Sequence, residues 1–323
     1  MKVKPENKQE NPPRKNGFHC PLDPKQVSLW IVFFIFVTYT FILVIPVFNL
    51  WYIPFSFEAL AVICFVFFTL RTTWIDPADF SVRYQSGDRP QFKKTKDNPH
   101  VIRNLYCQIC KINVDNRTKH CRNCNKCISV FDHHCDWLNT CVGVRNYRYF
   151  IATLISAQVM LFLTFLLNLL AVVGLSVESR PMLVDSHPIL TGTELGVLIT
   201  SSIICVLILV MLFFVGQLFV FHLKLIKNDQ TTYDYIIAKR KLKEQREKEA
   251  KENAAQKAQD NQAFEVCSEP GGLPDEDEIM DSFEEKKKRV KSATERANSH
   301  SFDPLQTVAT ISDVRMDHPA SET

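Results

Sequence analysis

Charged residues are missing from long stretches of this sequence, although they make up 23% of its 323 residues. Residues 27–48, VSLWIVFFIFVTYTFILVIPVF, carry no charge at all, and three more runs are almost as apolar: 53–73, 149–177 and 195–223. Runs of about 20 apolar residues can cross a bilayer as helices and are rare in the cores of water-soluble proteins. The scarcity of charge therefore argues against a soluble protein and predicts four transmembrane helices.

The sequence also lacks a strong net charge and a recognisable signal peptide. The formal net charge is only +3, so overall charge singles out no class of partner. Residues 1–26 are polar and basic, and they hold no short apolar region followed by a small-residue cleavage site. We therefore expect no cleavable signal peptide at this end.

Lysine and arginine are distributed unevenly around the four predicted helices. The loop at 74–148 carries 13 Lys and Arg against 7 Asp and Glu, and both tails are also rich in Lys and Arg. The link between the first two helices has none, and the link between the last two has only Arg180. Because Lys and Arg accumulate on the cytosolic side of membrane proteins, we expect both tails and the long loop in the cytosol.

These patterns predict an all-α polytopic membrane protein with a loop-rich, cysteine-rich domain between helices two and three. The C-terminal tail contains two kinds of sequence. Residues 239–262 favour a charged helix without an apolar stripe, and the polar composition from about residue 263 onward predicts disorder. The expected segments are an N-terminal tail at 1–26, helices one and two at 27–73, the cysteine-rich domain at 74–148 with its core at 107–150, helices three and four at 149–223, and a C-terminal tail at 224–323.

Cysteines are concentrated in the predicted cytosolic loop. Seven of the eleven lie within residues 107–141. Thiols stay reduced in the cytosol, so a cysteine cluster there favours metal binding or catalysis over disulfides. For the other four we expect unpaired thiols without a catalytic role; they are Cys20, Cys64, Cys205 and Cys267.

The cysteine-rich segment repeats its own spacing after fourteen residues. The pattern C-x2-C-x9-H-x6-C occurs first at Cys107, Cys110, His120 and Cys127, and again at Cys121, Cys124, His134 and Cys141. Three cysteines and one histidine are a common ligand set for a tetrahedral structural zinc. So polar a segment offers little core in which to bury reduced cysteines, and iron–sulfur clusters prefer all-cysteine sets. We therefore predict two interleaved structural zinc sites.

One thiol of this segment remains when both zinc sites are filled. It belongs to Cys135, which follows Asp132, His133 and the predicted ligand His134 in the sequence DHHC. The thiolate is the reactive form of cysteine; an imidazole within reach can take the thiol proton, while a carboxylate orients the ring. This composition fits an activated nucleophile. A solvated His133 and an Asp132 that caps a turn remain the alternative at this point.

At these motifs the sequence resembles the DHHC family of protein S-acyltransferases, which are palmitoyltransferases. The similarity covers about residues 27–235 and includes the four-helix layout. DPA at 76–78 and TTYD at 231–234 are similar to the family's Asp-Pro-Gly and Thr-Thr-x-Glu. The other matching residues are DHHC at 132–135, the R-x2-H-C pattern from Arg117 to Cys121, Trp137, Cys141-Val142-Gly143, Asn146 and Phe150.

The resemblance implies a protein-cysteine S-palmitoyltransferase with two structural zinc ions. Cys135 would accept the acyl group of palmitoyl-CoA as a thioester and pass it to a membrane-proximal cysteine of a protein substrate. His133 would act as the general base, Asp132 as its orienting partner and His134 as a zinc ligand. The helices would enclose the acyl chain, with Met160 near its end. The expected partners are palmitoyl-CoA, protein substrates and the lipid bilayer, but no nucleic acid.

Four positions depart from the common family pattern. Asp115 and Asp136 replace prolines, Ala78 replaces glycine, and Thr140 stands where asparagine is frequent. A carboxylate at 136 disfavours a neighbouring thiolate. A charged residue at this position also resembles a minority branch of the family. That resemblance implies a location in the endoplasmic reticulum, with the Golgi as the alternative. The enzyme and a membrane-anchored zinc scaffold or adaptor therefore both remain open. The absence of C-x2-4-C-x12-H-x3-5-H spacing argues against a nucleic-acid-binding zinc finger.

Overall fold

The computed structural model describes residues 12–85, 89–90, 100–177 and 194–267, with side chains described for all of these except 194 and 262–267. Most of the tail that the sequence predicts to be disordered lies outside the described residues. The chain divides into two units, Met1–Ala238 and Lys239–Thr323. The predicted helices and the cysteine-rich domain lie in the first unit.

Six α-helices follow one another along the described chain. Four of them are long and apolar enough to cross a membrane, over Pro24–Val47, Tyr52–Trp74, Tyr147–Ser176 and Leu195–Lys227. These spans confirm the four transmembrane helices predicted from the sequence. The helices are α1 at Pro24–Tyr39, α2 at Tyr52–Trp74, α3 at Phe80–Arg83, α4 at Tyr147–Ser176, α5 at Glu194–Lys227 and α6 at Thr232–Cys267.

The first membrane helix has a defined start and an irregular end. Asp23 caps α1 by accepting a hydrogen bond from the backbone N–H of Lys25 at 2.8 Å, and Pro24 occupies the first helical position, where no backbone donor is needed. Beyond α1 the chain continues as a π-helical turn at Thr40–Val44 and a 3-10 turn at Ile45–Val47. The second turn contains Pro46, which has no N–H to continue an α-helix.

Helix α4 is the centre of the membrane-spanning part, because it packs against both α2 and α5. An apolar cluster of Phe33, Ala61, Phe65 and Met160 joins α1, α2 and α4. Buried polar contacts also join α2 and α4: the Thr164 hydroxyl donates to the Glu58 carboxylate at 2.6 Å, and the hydroxyls of Thr72 and Thr153 lie 3.1 Å apart.

The cysteine-rich domain contains short β-hairpins that the sequence did not predict. The seven strands among its described residues hold two or three residues each, too few for an alternating pattern to be recognised in the sequence. They form an antiparallel three-stranded sheet, β1-β2-β3, and two antiparallel pairs, β4-β5 and β6-β7. The strands are β1 at Ile102–Arg103, β2 at Tyr106–Cys107, β3 at Ile112–Asn113, β4 at Lys119–Cys121, β5 at Lys126–Ile128, β6 at His133–Cys135 and β7 at Thr140–Val142.

The second unit begins within α6. From residue 239 to residue 261 this helix is exposed along almost its whole length and carries the i,i+4 ion pair of Lys243 with Glu247, at 3.7 Å. The charged helix predicted over 239–262 is therefore present, and it continues to Cys267.

Candidate zinc sites and active site

The fold brings the eight predicted ligands together in two groups of four. In each group the four ligand atoms lie within 4.8 Å of one another. In the second group, His134 Nδ1 lies 3.4 Å from the Cys124 sulfur and 3.5 Å from the Cys141 sulfur. In a tetrahedral site each ligand atom lies about 2.0–2.3 Å from the zinc, and the distances between the ligand atoms are then similar to those observed in this cluster. Both clusters, with three sulfurs and one imidazole nitrogen, therefore suit a zinc ion.

The fourteen-residue repeat of the sequence corresponds to three similar hairpins. In β2-β3, β4-β5 and β6-β7, a cysteine near the end of the first strand pairs with a residue five positions later. The residue just before the second strand has a left-handed backbone in every one of these hairpins. The three cysteines are Cys107, Cys121 and Cys135, and the three left-handed residues are Lys111, Asn125 and Asn139.

The third hairpin differs from the other two by one ligand. Cys107 and Cys121 are each followed three positions later by a second cysteine of the same cluster, whereas Cys135 is followed by Leu138. Cys135 belongs to neither cluster. Its neighbour His134 and the residue opposite His134 across the hairpin, Cys141, belong to the second cluster. Each strand of this hairpin therefore contributes one residue to a metal cluster, while the Cys135 thiol belongs to none.

Strand alternation separates the predicted zinc ligand His134 from the predicted catalytic residues His133 and Cys135. Successive side chains of a β-strand point to opposite faces, so His133 and Cys135 share one face of β6 while His134 points to the other. The Nδ1 atom of His133 lies 2.6 Å from a carboxylate oxygen of Asp132. The contact between Asp132 and His133 is the one that the composition of DHHC suggested, and the catalytic roles of these residues remain a prediction.

Thr232 completes the hydrogen-bonding shell of Asp132. Its backbone N–H donates to Asp132 Oδ1 at 2.8 Å, and its hydroxyl donates to Asp132 Oδ2 at 2.9 Å. Thr232 is the first residue of α6 and the second threonine of TTYD, so this motif lies against DHHC although a hundred residues separate them. The sequence contained the motif but no indication of this contact.

The buried carboxylate and the imidazole shift each other's pKa. Burial alone would raise the pKa of Asp132, but the hydrogen bonds from His133 and Thr232 outweigh it and hold this pKa below its usual range. Burial disfavours a charged His133, but Asp132 and Cys135 overcome that effect and raise the pKa of His133 to about 9. With this pKa the ring holds a proton at neutral pH, which is the state that a general base reaches after it has accepted the proton of a thiol.

The Cys135 thiol lies where the cysteine-rich domain meets the membrane helices. It is 9% exposed and packs in one cluster with Leu138, Val142, Phe150 and Leu154, of which the last two belong to α4. Side chains of α5 complete this cluster; they are Val215 and Phe219. The reactive group thus borders an apolar surface at one end of the helices.

Aromatic side chains enclose His133. The Phe150 ring centre is 5.4 Å away and the His222 ring centre 6.1 Å away. His222 is buried on α5, and its Nδ1 lies 3.1 Å from the Tyr147 hydroxyl. A single histidine within an apolar run carries no signal in the sequence, so sequence reasoning missed His222.

Met160 does not belong to the apolar cluster around Cys135. It is buried among Phe33, Ala61 and Phe65 in the middle part of the helices. The predicted contact of Met160 with the end of an acyl chain remains a prediction.

Two buried polar groups attach the cysteine-rich domain to α2. Asn146 donates to the backbone carbonyls of Thr72 at 3.2 Å and Cys141 at 2.9 Å, so it connects the end of α2 with β7. Lys126 forms an ion pair with Asp76 at 2.6 Å, just after α2. The DPA segment therefore contributes to holding the zinc domain against the helices.

Asp136 has a partner that the sequence did not reveal. Its carboxylate lies 2.6 Å from the Lys25 ammonium at the start of α1. The hydrogen bond from Lys25 holds the pKa of Asp136 below its usual range. The carboxylate next to Cys135 is therefore paired with a positive charge.

Comparisons with known proteins agree with this geometry. Residues 100–239 match the family model described as DHHC palmitoyltransferase, and this range holds both metal clusters, Cys135 and Thr232. The chain is 34% identical over 255 residues to two Homo sapiens proteins, "Probable palmitoyltransferase ZDHHC11B" and "Palmitoyltransferase ZDHHC11". Each alignment covers 71% of this chain, with 67% of the first relative and 60% of the second. "Protein S-acyltransferase 8" from Arabidopsis thaliana is 32% identical over 145 residues, 45% of this chain and 34% of that protein.

Proposed function

This chain belongs to the DHHC palmitoyltransferase family, and on that basis we propose that it transfers palmitate from palmitoyl-CoA to cysteines of protein substrates. One observation carries the proposal: Cys135 stays outside both metal clusters and shares a strand face with His133. The names of the relatives describe palmitoyl or acyl transfer.

In the first step His133 takes the proton of the Cys135 thiol, and the thiolate attacks the thioester carbonyl of palmitoyl-CoA. A new carbon–sulfur bond forms at Cys135, the bond to the CoA sulfur breaks, and the CoA thiolate takes the proton from His133. Asp132 keeps the His133 ring in one orientation through the 2.6 Å hydrogen bond. The product is an acyl-enzyme thioester.

In the second step a protein substrate takes the place of CoA. His133 accepts the proton of the substrate cysteine, whose sulfur attacks the acyl carbonyl on Cys135. The bond to Cys135 breaks, and the proton returns from His133 to its sulfur. The zinc ions would stabilise the fold of the hairpins that carry these residues. The eight ligands would be Cys107, Cys110, His120 and Cys127 for one ion, and Cys121, Cys124, His134 and Cys141 for the other.

The apolar surroundings of Cys135 suit a long acyl chain. Burying a chain gains roughly 0.8 kcal/mol per CH2, so a thiol that borders both Phe150 of α4 and Phe219 of α5 can react while the chain stays out of water. We propose that the chain runs along α4 towards Met160, which faces α1 and α2. A palmitoyl chain would then end near this methionine.

We also propose the placement of the protein in the cell. The Lys and Arg distribution supports cytosolic tails and a cytosolic zinc domain within 74–148, so that the helices at 27–73 and 149–223 are the only proposed membrane segments. The endoplasmic reticulum is the proposed membrane, with the Golgi as the alternative. Substrate cysteines close to the cytosolic membrane surface would reach Cys135 there.

Labelling of the purified protein with an alkyne analogue of palmitoyl-CoA tests the reaction. We expect a label on wild type that hydroxylamine removes, because a thioester is cleaved by it, and no label on Cys135→Ser. Cys64→Ser, which removes a half-buried thiol of α2 outside both metal clusters, is the matched control and should label like wild type. Equal labelling of wild type and Cys135→Ser excludes the acyl-enzyme. No labelling of either protein, with both zinc ions retained, favours the zinc scaffold instead.

A further inference from the structure

The polar segment that leads into α1 and includes its first three residues packs on the hairpin that carries Cys135. We call residues 12–26 the N-terminal strap. We propose that the strap is a positioning element of the active site, which holds the turn Asp136–Asn139 and thereby the adjacent nucleophile Cys135. This inference rests on the proposed acyl transfer, since it assigns the strap a role in that reaction.

The turn between β6 and β7 has no metal ligand of its own. In the first two hairpins the corresponding turns carry Cys110 and Cys124, which belong to the metal clusters. The third hairpin has Leu138 at this position, so a zinc ion does not hold its turn. The turns of the other two hairpins are held by a metal ligand, and the turn after Cys135 is not. Contacts with another part of the chain would have to hold this turn.

Asn139 shows that the strap supplies this constraint. Asn139 is 3% exposed, and its side-chain amide donates to the backbone carbonyls of Gly17 at 3.1 Å and Pro21 at 3.3 Å. Its side-chain oxygen accepts a hydrogen bond from Arg14. All of these partners belong to the strap. A buried amide whose donors and acceptor are satisfied by one segment depends on that segment to stay in place.

Gly17 is in direct contact with the turn and with the end of α2. Its N–H donates to the carbonyl of Thr73 at 2.9 Å. A Cβ atom at this position would lie 2.0 Å from the backbone oxygen of Leu138 and 2.5 Å from the Thr73 side chain. The strap therefore passes between α2 and the turn with room for glycine only.

Two more contacts connect the strap to the turn. The buried side-chain amide of Gln26 donates to the carbonyl of Gly17 at 3.2 Å and to that of Leu138 at 3.5 Å. The ammonium of Lys25 lies 2.6 Å from the Asp136 carboxylate. Asp136, Leu138 and Asn139 of the turn thus each have a hydrogen-bond partner within residues 14–26.

A shift of the turn would move the nucleophile. The N–H of Leu138 donates to the carbonyl of Cys135 at 3.2 Å, so the turn is hydrogen-bonded to the nucleophilic residue itself. Displacements of about 1 Å in a reacting group can lower a rate about a hundredfold. Loss of the strap contacts should therefore slow acyl transfer while the metal clusters, which contain no strap residue, keep their ligands.

Gly17→Ala is the first test, with Gly196→Ala as the matched control. The added methyl group of Gly17→Ala collides with the turn, whereas a Cβ at Gly196 meets no atom within 4 Å. For Gly17→Ala we expect a kcat for Cys135 acylation lowered at least tenfold, with an unchanged KM for palmitoyl-CoA and two zinc ions per chain. Asn139→Ala should behave in the same way. Wild-type kcat in both variants overturns the proposal.

The surface pair of Lys25 and Asp136 provides a second test that does not depend on packing. Lys25→Asp and Asp136→Lys each place like charges together, and we expect a kcat lowered about two- to fivefold, a small effect because both groups are partly exposed. The double variant restores opposite charges and should recover kcat. If Gly17→Ala loses zinc, the charge-reversal variants decide between the outcomes. A double variant with a kcat no higher than that of the single variants overturns the proposal.

Alkylation of Cys135 separates this proposal from the proposed function. Iodoacetamide is added to full-length wild type and variants without acyl-CoA, and the modified Cys135 peptide is followed by mass spectrometry. Because Cys135 is almost buried, we expect at least tenfold faster alkylation when Gly17→Ala or Asn139→Ala releases the turn. This measurement holds even if wild type never accepts palmitate. Alkylation rates equal to those of Gly196→Ala overturn the positioning role.

Discussion

Asp132 is the residue on which the orientation of His133 depends. The carboxylate is 2% exposed, lies 2.6 Å from His133 Nδ1 and accepts two further hydrogen bonds from Thr232. The hydrogen bond that one ring nitrogen makes determines which nitrogen is left to act as a base. We therefore expect Thr232 to influence the proposed reaction through Asp132, without contact with the reacting atoms.

Thr232→Val tests this influence. The variant keeps the shape of the side chain but loses the hydroxyl that donates to Asp132 at 2.9 Å. A hydrogen bond to a charged group contributes about 1.5–3 kcal/mol, so we expect a kcat for acylation lowered about tenfold or more. Thr232→Ser retains the hydroxyl and should keep most of the activity. Equal kcat values for the valine and serine variants would contradict the role of this hydrogen bond.

Lys126 is a buried ammonium whose carboxylate partner is Asp76. The Lys126 side chain is 3% exposed and the Asp76 side chain 23%, at 2.6 Å from each other. Asp76→Asn leaves a buried charge without its counter-ion, and we expect the free energy of unfolding to fall by about 2 kcal/mol, reduced from the value for a fully buried pair by the exposure of Asp76. Thermal unfolding in detergent measures this change.

The matching control for Asp76→Asn removes the buried charge as well. Asp76→Asn combined with Lys126→Met replaces the ammonium with an apolar side chain and should recover part of the lost stability. A double variant less stable than Asp76→Asn would show that Lys126 contributes mainly through its other hydrogen bond, to the Lys15 carbonyl at 3.0 Å.

At the scale of elements, the β6-β7 hairpin combines two tasks. His134 and Cys141 pair across the hairpin and belong to the second metal cluster, while His133 and Cys135 occupy the other face of β6. The metal-cluster residue His134 is thus carried by the same three-residue strand as His133 and Cys135, and its partner Cys141 lies on the adjacent strand. Loss of the second zinc should disturb the active site directly.

Metal analysis of ligand variants tests the two interleaved sites. Structural zinc contributes to the free energy of folding, so Cys141→Ala should lose zinc, destabilise the cysteine-rich domain and abolish acylation. Cys107→Ala and Cys124→Ala should have the same consequence. Cys135→Ala, the matched cysteine variant in the same hairpin as Cys141, should keep two zinc ions per chain. Two zinc ions retained by Cys141→Ala would contradict the ligand assignment.

At the scale of the whole molecule, the four apolar helices determine on which side of a membrane each segment lies. The spans at Pro24–Val47 and Tyr52–Trp74 precede the cysteine-rich domain, and those at Tyr147–Ser176 and Leu195–Lys227 follow it. Two spans on each side of the domain return the chain to the side from which it started. Both tails should therefore share one side with the metal clusters.

Protease protection in sealed membrane vesicles tests this topology. Tags at the two ends of the full chain should be digested together when the cytosolic face is exposed. A glycosylation acceptor inserted near residue 185, between the third and fourth spans, should be modified on the opposite side. An acceptor inserted near residue 95, in the loop before the zinc ligands, is the control and should stay unmodified. Digestion of one tag alone would contradict the even number of crossings.

Much of this architecture was predictable because its signals are local. The length of an apolar run, the fourteen-residue spacing of Cys and His, and the letters DHHC each lie within one short segment. They predicted four membrane helices and two ligand groups, and the described structure contains both. The hairpins were not predictable in the same way, because strands of two or three residues are too short for a recognisable alternation.

The sequence by itself determined which segments enter the membrane and which side chains can hold metal, because hydrophobic length and ligand spacing act between near neighbours along the chain. Only the tertiary structure decided what surrounds the nucleophile. Thr232 reaches Asp132 across a hundred residues, and Lys25 reaches Asp136 across 111. Such hydrogen bonds form when distant elements of the chain pack together. The identity of a polar residue in the sequence does not reveal which distant residue will be its partner.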